Sequence, residues 1–166
     1  MSEGTAMRVE EPRIENGKTM IIAGMQGHYT YQTIPEIPAL WQKFVPYMDR
    51  IAGRVGRIEY GLCWDLGTGG IDYLAGEEIS SADGLPPELR IVRIPAMKYA
   101  VFAHREHVSR ISETCGAAFE WLKKSRYQNA VTSKDVPNFF ERYSQEFDPK
   151  TGMGGIDVWV PMRESQ

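Results

Sequence analysis

The order strand, helix, strand, strand runs twice along this chain of 166 residues, and that doubling limits the possible folds more than any single motif does. Thr19 to Gln26, rich in Met, Ile and Ala, reads as a first strand, which Gly27 and His28 close. From Ile37 the apolar positions Leu40, Trp41, Phe44, Val45, Met48 and Ile51 recur on one helix face, with Pro35 and Pro38 in the first turn. An interior proline costs about 3 kcal/mol, so the helix is expected to end near Val45 or to kink at Pro46. Arg57 to Trp64 and Ile71 to Ile79 read as strands joined by the glycine-rich hairpin 65–70. After the polar, turn-rich stretch 80–87, the pattern resumes. Leu89 to Ile94 and Lys98 to Arg105 form a strand interrupted at Pro95, and Val108, Ile111, Cys115, Phe119 and Leu122 mark a second helix. Asn138 to Tyr143, a loop around Asp148, Pro149 and Gly152, and a strand from Ile156 to Val160 complete the second half.

Short echoes support duplication. Gly70, Ile71, Asp72 recur as Gly155, Ile156, Asp157, and Ile58, Glu59 recur as Phe140, Glu141. The expected fold is α+β: two pseudo-symmetric strand-helix-strand-strand modules with antiparallel sheets, over about 18–79 and 89–162. Residues 1–17 are expected to be a loose lead-in and 163–166 a tail.

Composition narrows the function. Nineteen Lys and Arg against 22 Asp and Glu give a formal charge of −3, which lacks the electrostatic footprint of a nucleic-acid binder. No apolar run approaches the roughly 20 residues of a membrane-spanning helix, and the polar start is unlike a signal peptide, so a cytoplasmic protein is expected. Cys63 and Cys115 stand alone in apolar patterns and read as reduced core residues. His28, His104 and His107 lack the third ligand that would make a metal site specific and read as surface or turn residues. No cofactor is called for: the loop at Gly67, Gly69 and Gly70 lacks the Lys and following helix of a phosphate-binding loop.

One helix covers only one face of a three-stranded sheet, so two modules side by side leave a cleft between them, a preferred place for a ligand. Alternation sets Phe139, Glu141 and Tyr143 on one face of their strand, with Phe140 and Arg142 on the other. On the last strand Asp157 and Trp159 oppose Ile156, Val158 and Val160. If the aliphatic face packs on its helix, Trp159 and Glu141 are left for the cleft. Tyr60, Trp64, Tyr73, Phe102 and Tyr143 are further candidates for its aromatic walls. Trp41 and Trp121 fall on the apolar helix stripes and are assigned to core packing. A carboxylate among aromatic walls suits flat lipophilic cations through stacking, cation–π attraction and charge neutralisation.

These residues also carry a resemblance. Trp41 with Phe44, the run Tyr60 to Cys63, Asp72 to Gly76, Ile94 to Ala96, Tyr99 to Phe102 with His104 and Arg105, Phe140 to Tyr143, Asp148 with Pro149, and Trp159 to Pro161 resemble the GyrI-like family over about 19–162. That family includes effector-binding domains of AraC-type and MerR-type multidrug regulators, stand-alone relatives and a gyrase-inhibitory protein. The resemblance implies two pseudo-symmetric modules with a ligand cleft, and a buried Glu at the position of Glu141 that meets cationic ligands. Met97, Glu106 and His107 depart from the family pattern, in the strand and loop before the second helix.

The favoured function is a stand-alone binding protein for amphipathic, cationic small molecules, in drug sensing or sequestration. A second reading is a hydrolase of strained electrophiles, with Glu141 as general base for water. A third is an inhibitor protein that docks on DNA gyrase or another enzyme. No helix-turn-helix precedes the domain, so a role in transcription would need a separate regulator as partner.

Overall fold

The computed structural model describes residues 10–130 and 134–164. Its strands are β1 (Arg13–Gly17), β2 (Met20–Thr30), β3 (Arg54–Asp65), β4 (Gly70–Ile79), β5 (Arg90–Ile94), β6 (Met97–His104), β7 (Tyr127–Asn129), β8 (Phe139–Tyr143) and β9 (Ile156–Glu164). Two helices interrupt them, α1 (Ile37–Met48) and α2 (Ile111–Lys124), each entered through a short 3-10 turn.

The strands form one antiparallel sheet in the order β1-β6-β9-β8-β3-β4-β2-β5, with β7 on the far stretch of β9. The duplication is explicit in that order. Reading outward from the central β8–β3 pair, one half runs β8, β9, β6 and the other β3, β4, β2, the same sequence of second, third and first strands. At the centre of the seam, Gly61 of β3 stands opposite Glu141 of β8.

Two expectations are corrected by one feature. The lead-in 1–17 is not loose throughout, because Arg13–Gly17 is β1 and pairs with β6 of the other half. Leu89 to Ile94 does not continue into the next strand: β5 pairs with β2, and Pro95 with Ala96 separates it from β6. Each half thus lends its leading strand to the other. This exchange bends the sheet. Two residues join β1 to β2 and two join β5 to β6, a reach of about 11 Å over three Cα steps. In a flat sheet each pair would lie six strand spacings apart, roughly 29 Å. The sheet must therefore curl until its edges approach, a half-barrel.

The curl creates an inside and an outside. Ile22, Leu62, Leu74, Val92, Ile94, Tyr99, Val101 and Phe140, drawn from strands at both ends of the sheet, meet in its interior. Outside, α1 places Leu40 and Phe44 on Ala23, Cys63, Tyr73 and Ala75. Likewise α2 places Cys115, Ala118 and Leu122 on Ala100, Phe102, Val158 and Val160.

Smaller differences have local causes. The first helix continues through Pro46 to Met48: the proline lacks the N–H that would bond the carbonyl four residues back, and only Tyr47 and Met48 follow it in the helix. β2 does not close at Gly27 and His28 but pairs on to Thr30 against Gly70. Arg163 and Glu164 of the expected tail extend β9 and pair with Gln128 and Tyr127 of β7. Residues 1–9 and 165–166 of the expected lead-in and tail lie outside the described residues.

Candidate functional site

The only place where both halves and both helices converge on an acidic side chain is the outer face of the β8–β3 seam, among the described residues. β8 alternates as its sequence requires, with Phe139, Glu141 and Tyr143 outward and Phe140 and Arg142 inward. Arg142 is thereby removed as a counterion for Glu141; its guanidinium lies over the Trp159 ring on the inner side, 5.6 Å from the centroid.

Glu141 is 7% exposed. Its Oε1 accepts hydrogen bonds from the hydroxyls of Tyr73 on β4 and Tyr143 on β8, each 2.7 Å. Trp41 of α1 donates its indole N–H to the Tyr73 hydroxyl at 3.2 Å, and its ring meets Tyr143 edge-on at 5.8 Å. Gly61 makes room for this arrangement. A Cβ there would lie 2.7 Å from Tyr73 Cζ and 2.8 Å from Glu141 Oε1, closer than either atom tolerates.

Burial pushes the Glu141 carboxyl above its ordinary range, and the two tyrosine hydrogen bonds offset part of that rise. The same burial, with the Glu141 charge nearby, holds both tyrosines well above their usual value, so they stay neutral donors. Cys63 and Cys115 are raised by burial first and by Glu141 second, which keeps both as unreactive thiols. Both are free. Among the described residues no Lys, Arg or His forms an ion pair with Glu141.

The expected wall residues divide. Tyr73 and Tyr143 join Glu141 directly. Phe102 lies on the same outer face but behind α2, with its ring 5.6 Å from Trp121. Tyr60, Trp64 and Trp159 are inside the curl, on the opposite face of the sheet. The pairing of Trp159 with Glu141 is corrected by the register: Trp159 stands opposite Phe140, ring on ring at 5.5 Å, while Glu141 faces Val158. The aliphatic side of β9 does pack under α2, but that side is the one Glu141 shares.

Trp41, assigned to core packing by the helix stripe, does pack against the cluster under α1 and also reaches the seam. Leu40 and Phe44 occupy the buried centre of the α1 stripe, and Trp41 sits on its flank, half-buried and turned toward the other half. A wide aromatic at the edge of a stripe, rather than its middle, was the available signal. His104 is also corrected. It is 3% exposed, with Nδ1 2.6 Å from Thr114 Oγ1 and Nε2 2.9 Å from the His107 carbonyl, and ties the end of β6 to α2.

A second buried carboxylate lies outward on the first half. Glu77 of β4 is 1% exposed and faces Glu59 of β3 across the ladder. Arg54 donates to its Oε2 at 2.6 Å, while Oε1 has no hydrogen-bond partner. No group of three or more His, Cys, Asp or Glu among the described residues could hold a metal ion, and no helix among them is long and apolar enough to cross a membrane.

The sequence pattern of a family described as the GyrI-like small molecule binding domain matches residues 10–163. The transcriptional regulator BrlR of Pseudomonas aeruginosa is 28% identical over 127 residues, 76% of this chain and 46% of BrlR. The chain therefore spans about half the length of that curated relative. Among solved structures, SAV2435 bound to tetraphenylphosphonium superposes with a TM-score of 0.70 at 18% identity, over 93% of this chain and 94% of that one. The C-terminal domain of EcmrR also gives a TM-score of 0.70, at 11% identity, over 96% of this chain and 100% of that one. Both likenesses are of fold.

Proposed function

The chain belongs to the GyrI-like small-molecule binding domain family, and from that premise we propose that it is a receptor for amphipathic cations, with Glu141 as the group that meets the positive charge. The observation that carries the reading is the carboxyl's surroundings: buried, between two neutral tyrosine hydroxyls, and paired with no cation among the described residues. A carboxylate so placed costs free energy while it stays unneutralised. A lipophilic cation offsets that cost, and the faces of Trp41, Tyr73 and Tyr143 supply stacking and cation–π attraction. A ligand reaches Glu141 only when the aromatic cover opens, and half-buried Trp41 is the least enclosed part of that cover. That a protein of the same fold is known with tetraphenylphosphonium bound is consistent with this chemistry.

The test is a thermal-shift and calorimetric comparison of tetraphenylphosphonium with tetraphenylborate, which has nearly the same shape and the opposite charge. Ligand at 100 times its dissociation constant stabilises by about 2.7 kcal/mol, so binding is visible in the melting temperature. The phosphonium is expected to stabilise the protein and the borate not to; equal stabilisation by both would reject charge recognition.

A carboxyl held above its ordinary range in a dry seam is also a setting for a general base, the hydrolase reading. Turnover of a strained electrophile that is lost in Glu141→Gln, with cation binding retained, would favour it.

A further inference from the structure

We propose a second small-molecule site on the opposite, inner side of the sheet, for a single-ring aromatic carboxylate. A half-open pocket of about 150 Å³ lies there, lined by Trp64, Leu66, Asp72, Arg90 and Lys134. A dry engineered cavity of about that volume holds one benzene-sized ring. Trp64 stands at the end of β3, in the row whose side chains face into the curl, and Asp72 is its cross-strand partner on β4. Glu141 points out from the other face, so the two sites share no lining residue.

The lining selects for an anion. Arg90 and Lys134 bring two positive charges against the single carboxylate of Asp72. That carboxylate already faces His28, Oδ1 to Nδ1 at 3.0 Å. Arg90 donates one hydrogen bond to Gln26 and lies over the Trp64 ring at 4.9 Å, which leaves other guanidinium N–H groups for an incoming carboxylate. Lys134 takes part in none of the ion pairs among the described residues.

The Trp64 indole lacks an acceptor among the described residues. Trp64 is 6% exposed, and its indole N–H has no hydrogen-bond partner. An indole nitrogen only donates, and this one is buried away from the pocket, so recognition of a carboxylate there falls to Arg90 and Lys134. The flat Trp64 face and the cations beside it fit a molecule with a ring and a carboxylate at one end. Ring insertion displaces the Arg90 guanidinium from the Trp64 face toward the ligand's carboxylate, where it exchanges cation–π attraction for a charge-assisted hydrogen bond.

The test uses the full chain labelled with 15N-tryptophan, whose four indole resonances are assigned by Trp→Phe substitution. Benzoate is expected to move the Trp64 indole signal saturably, with a dissociation constant in the range of about 1–10 mM that a ligand of this size supports. Benzylammonium, of similar shape and opposite charge, is expected not to move it. Arg90 is half-buried and Lys134 exposed, and Arg90→Gln and Lys134→Gln are each expected to weaken benzoate about 3- to 5-fold. Glu141→Gln is expected to leave benzoate binding unchanged, which separates failure here from failure of the cation site. No saturable shift with benzoate, equal shifts with benzylammonium, or undiminished benzoate affinity in the double variant of Arg90 and Lys134 would each overturn the proposal.

Discussion

Glu141 and Glu77 are both buried carboxylates on the outer face of the same sheet, one at the seam between the halves and one within the first half, and their partners differ in kind. Glu77 has a guanidinium, Arg54, at 2.6 Å; Glu141 has two phenolic hydroxyls and, among the described residues, no cation. Burial raises both carboxyls, but at Glu77 the next influence is the charge of Arg54, whereas at Glu141 it is a pair of neutral hydrogen bonds. A carboxylate that the protein itself neutralises is part of the fold. One that it solvates without neutralising is, in the function proposed above, the group that takes its charge from a ligand.

The contrast breaks most readily at Arg54. Arg54→Ala leaves Glu77 buried without its cation; the loss of one partner of a buried pair typically costs 3–5 kcal/mol, and the 32% exposure of Arg54 lowers this to about 2–4 kcal/mol in chemical denaturation. Glu141→Gln should change stability by less than about 1 kcal/mol, since no ion pair is broken. Equal losses in the two variants would erase the distinction.

Gly61→Ala is the next largest. The added methyl group meets Tyr73 and Glu141, and overpacking of this kind costs about 1–3 kcal/mol. Binding of tetraphenylphosphonium should fall with it. Normal stability and affinity in Gly61→Ala would show that the seam is looser than its geometry implies.

Tyr143→Phe removes one donor from Glu141 and is expected to cost about 1–2 kcal/mol, less than half of which should remain when Glu141 is already Gln. A double-mutant cycle with no coupling would mean that the hydroxyl does not serve the carboxyl.

The smallest effect is in pH dependence. Because folding raises the Glu141 carboxyl above its ordinary value of 4.5, its charge adds no cost below that pH, where the folded and unfolded states are both protonated. The cost grows as pH rises through the window between 4.5 and the folded value, and it is complete above it. Relative to wild type, Glu141→Gln should therefore gain stability as pH rises through that window, by at most about 1.4 kcal/mol per pH unit. A gain that shrinks with rising pH would mean that the carboxyl is stabilised as the anion.

Much of this was legible in the sequence, for identifiable reasons. The helix stripes, the strand alternation and the echo of Gly70 to Asp72 in Gly155 to Asp157 are local patterns, and they fixed the two-module order. The exchange of β1 and β5 was not legible, because a strand's own residues encode which face is buried but not which edge it joins. For the same reason the sequence leaves Trp159 and Glu141 together. Alternation opposes Trp159 to Ile156, Val158 and Val160, but only the register with Phe140 decides which side of the sheet it faces. Glu141 stood out as a carboxylate between aromatics. Gly61 and Trp41 did not, since one acts through the side chain it lacks and the other through Tyr73, two strands further along the chain.

The central claim, that Glu141 meets the ligand's charge, is tested most directly by calorimetric titration of tetraphenylphosphonium into wild type and Glu141→Gln. Loss of a charge-assisted contact in a buried site is worth roughly 1.5–3 kcal/mol, so the variant should bind about 10- to 150-fold more weakly. Wild-type affinity should also fall as pH drops through the carboxyl's folded value, while the variant's should not change. Equal affinity of the two proteins at neutral pH would contradict the account.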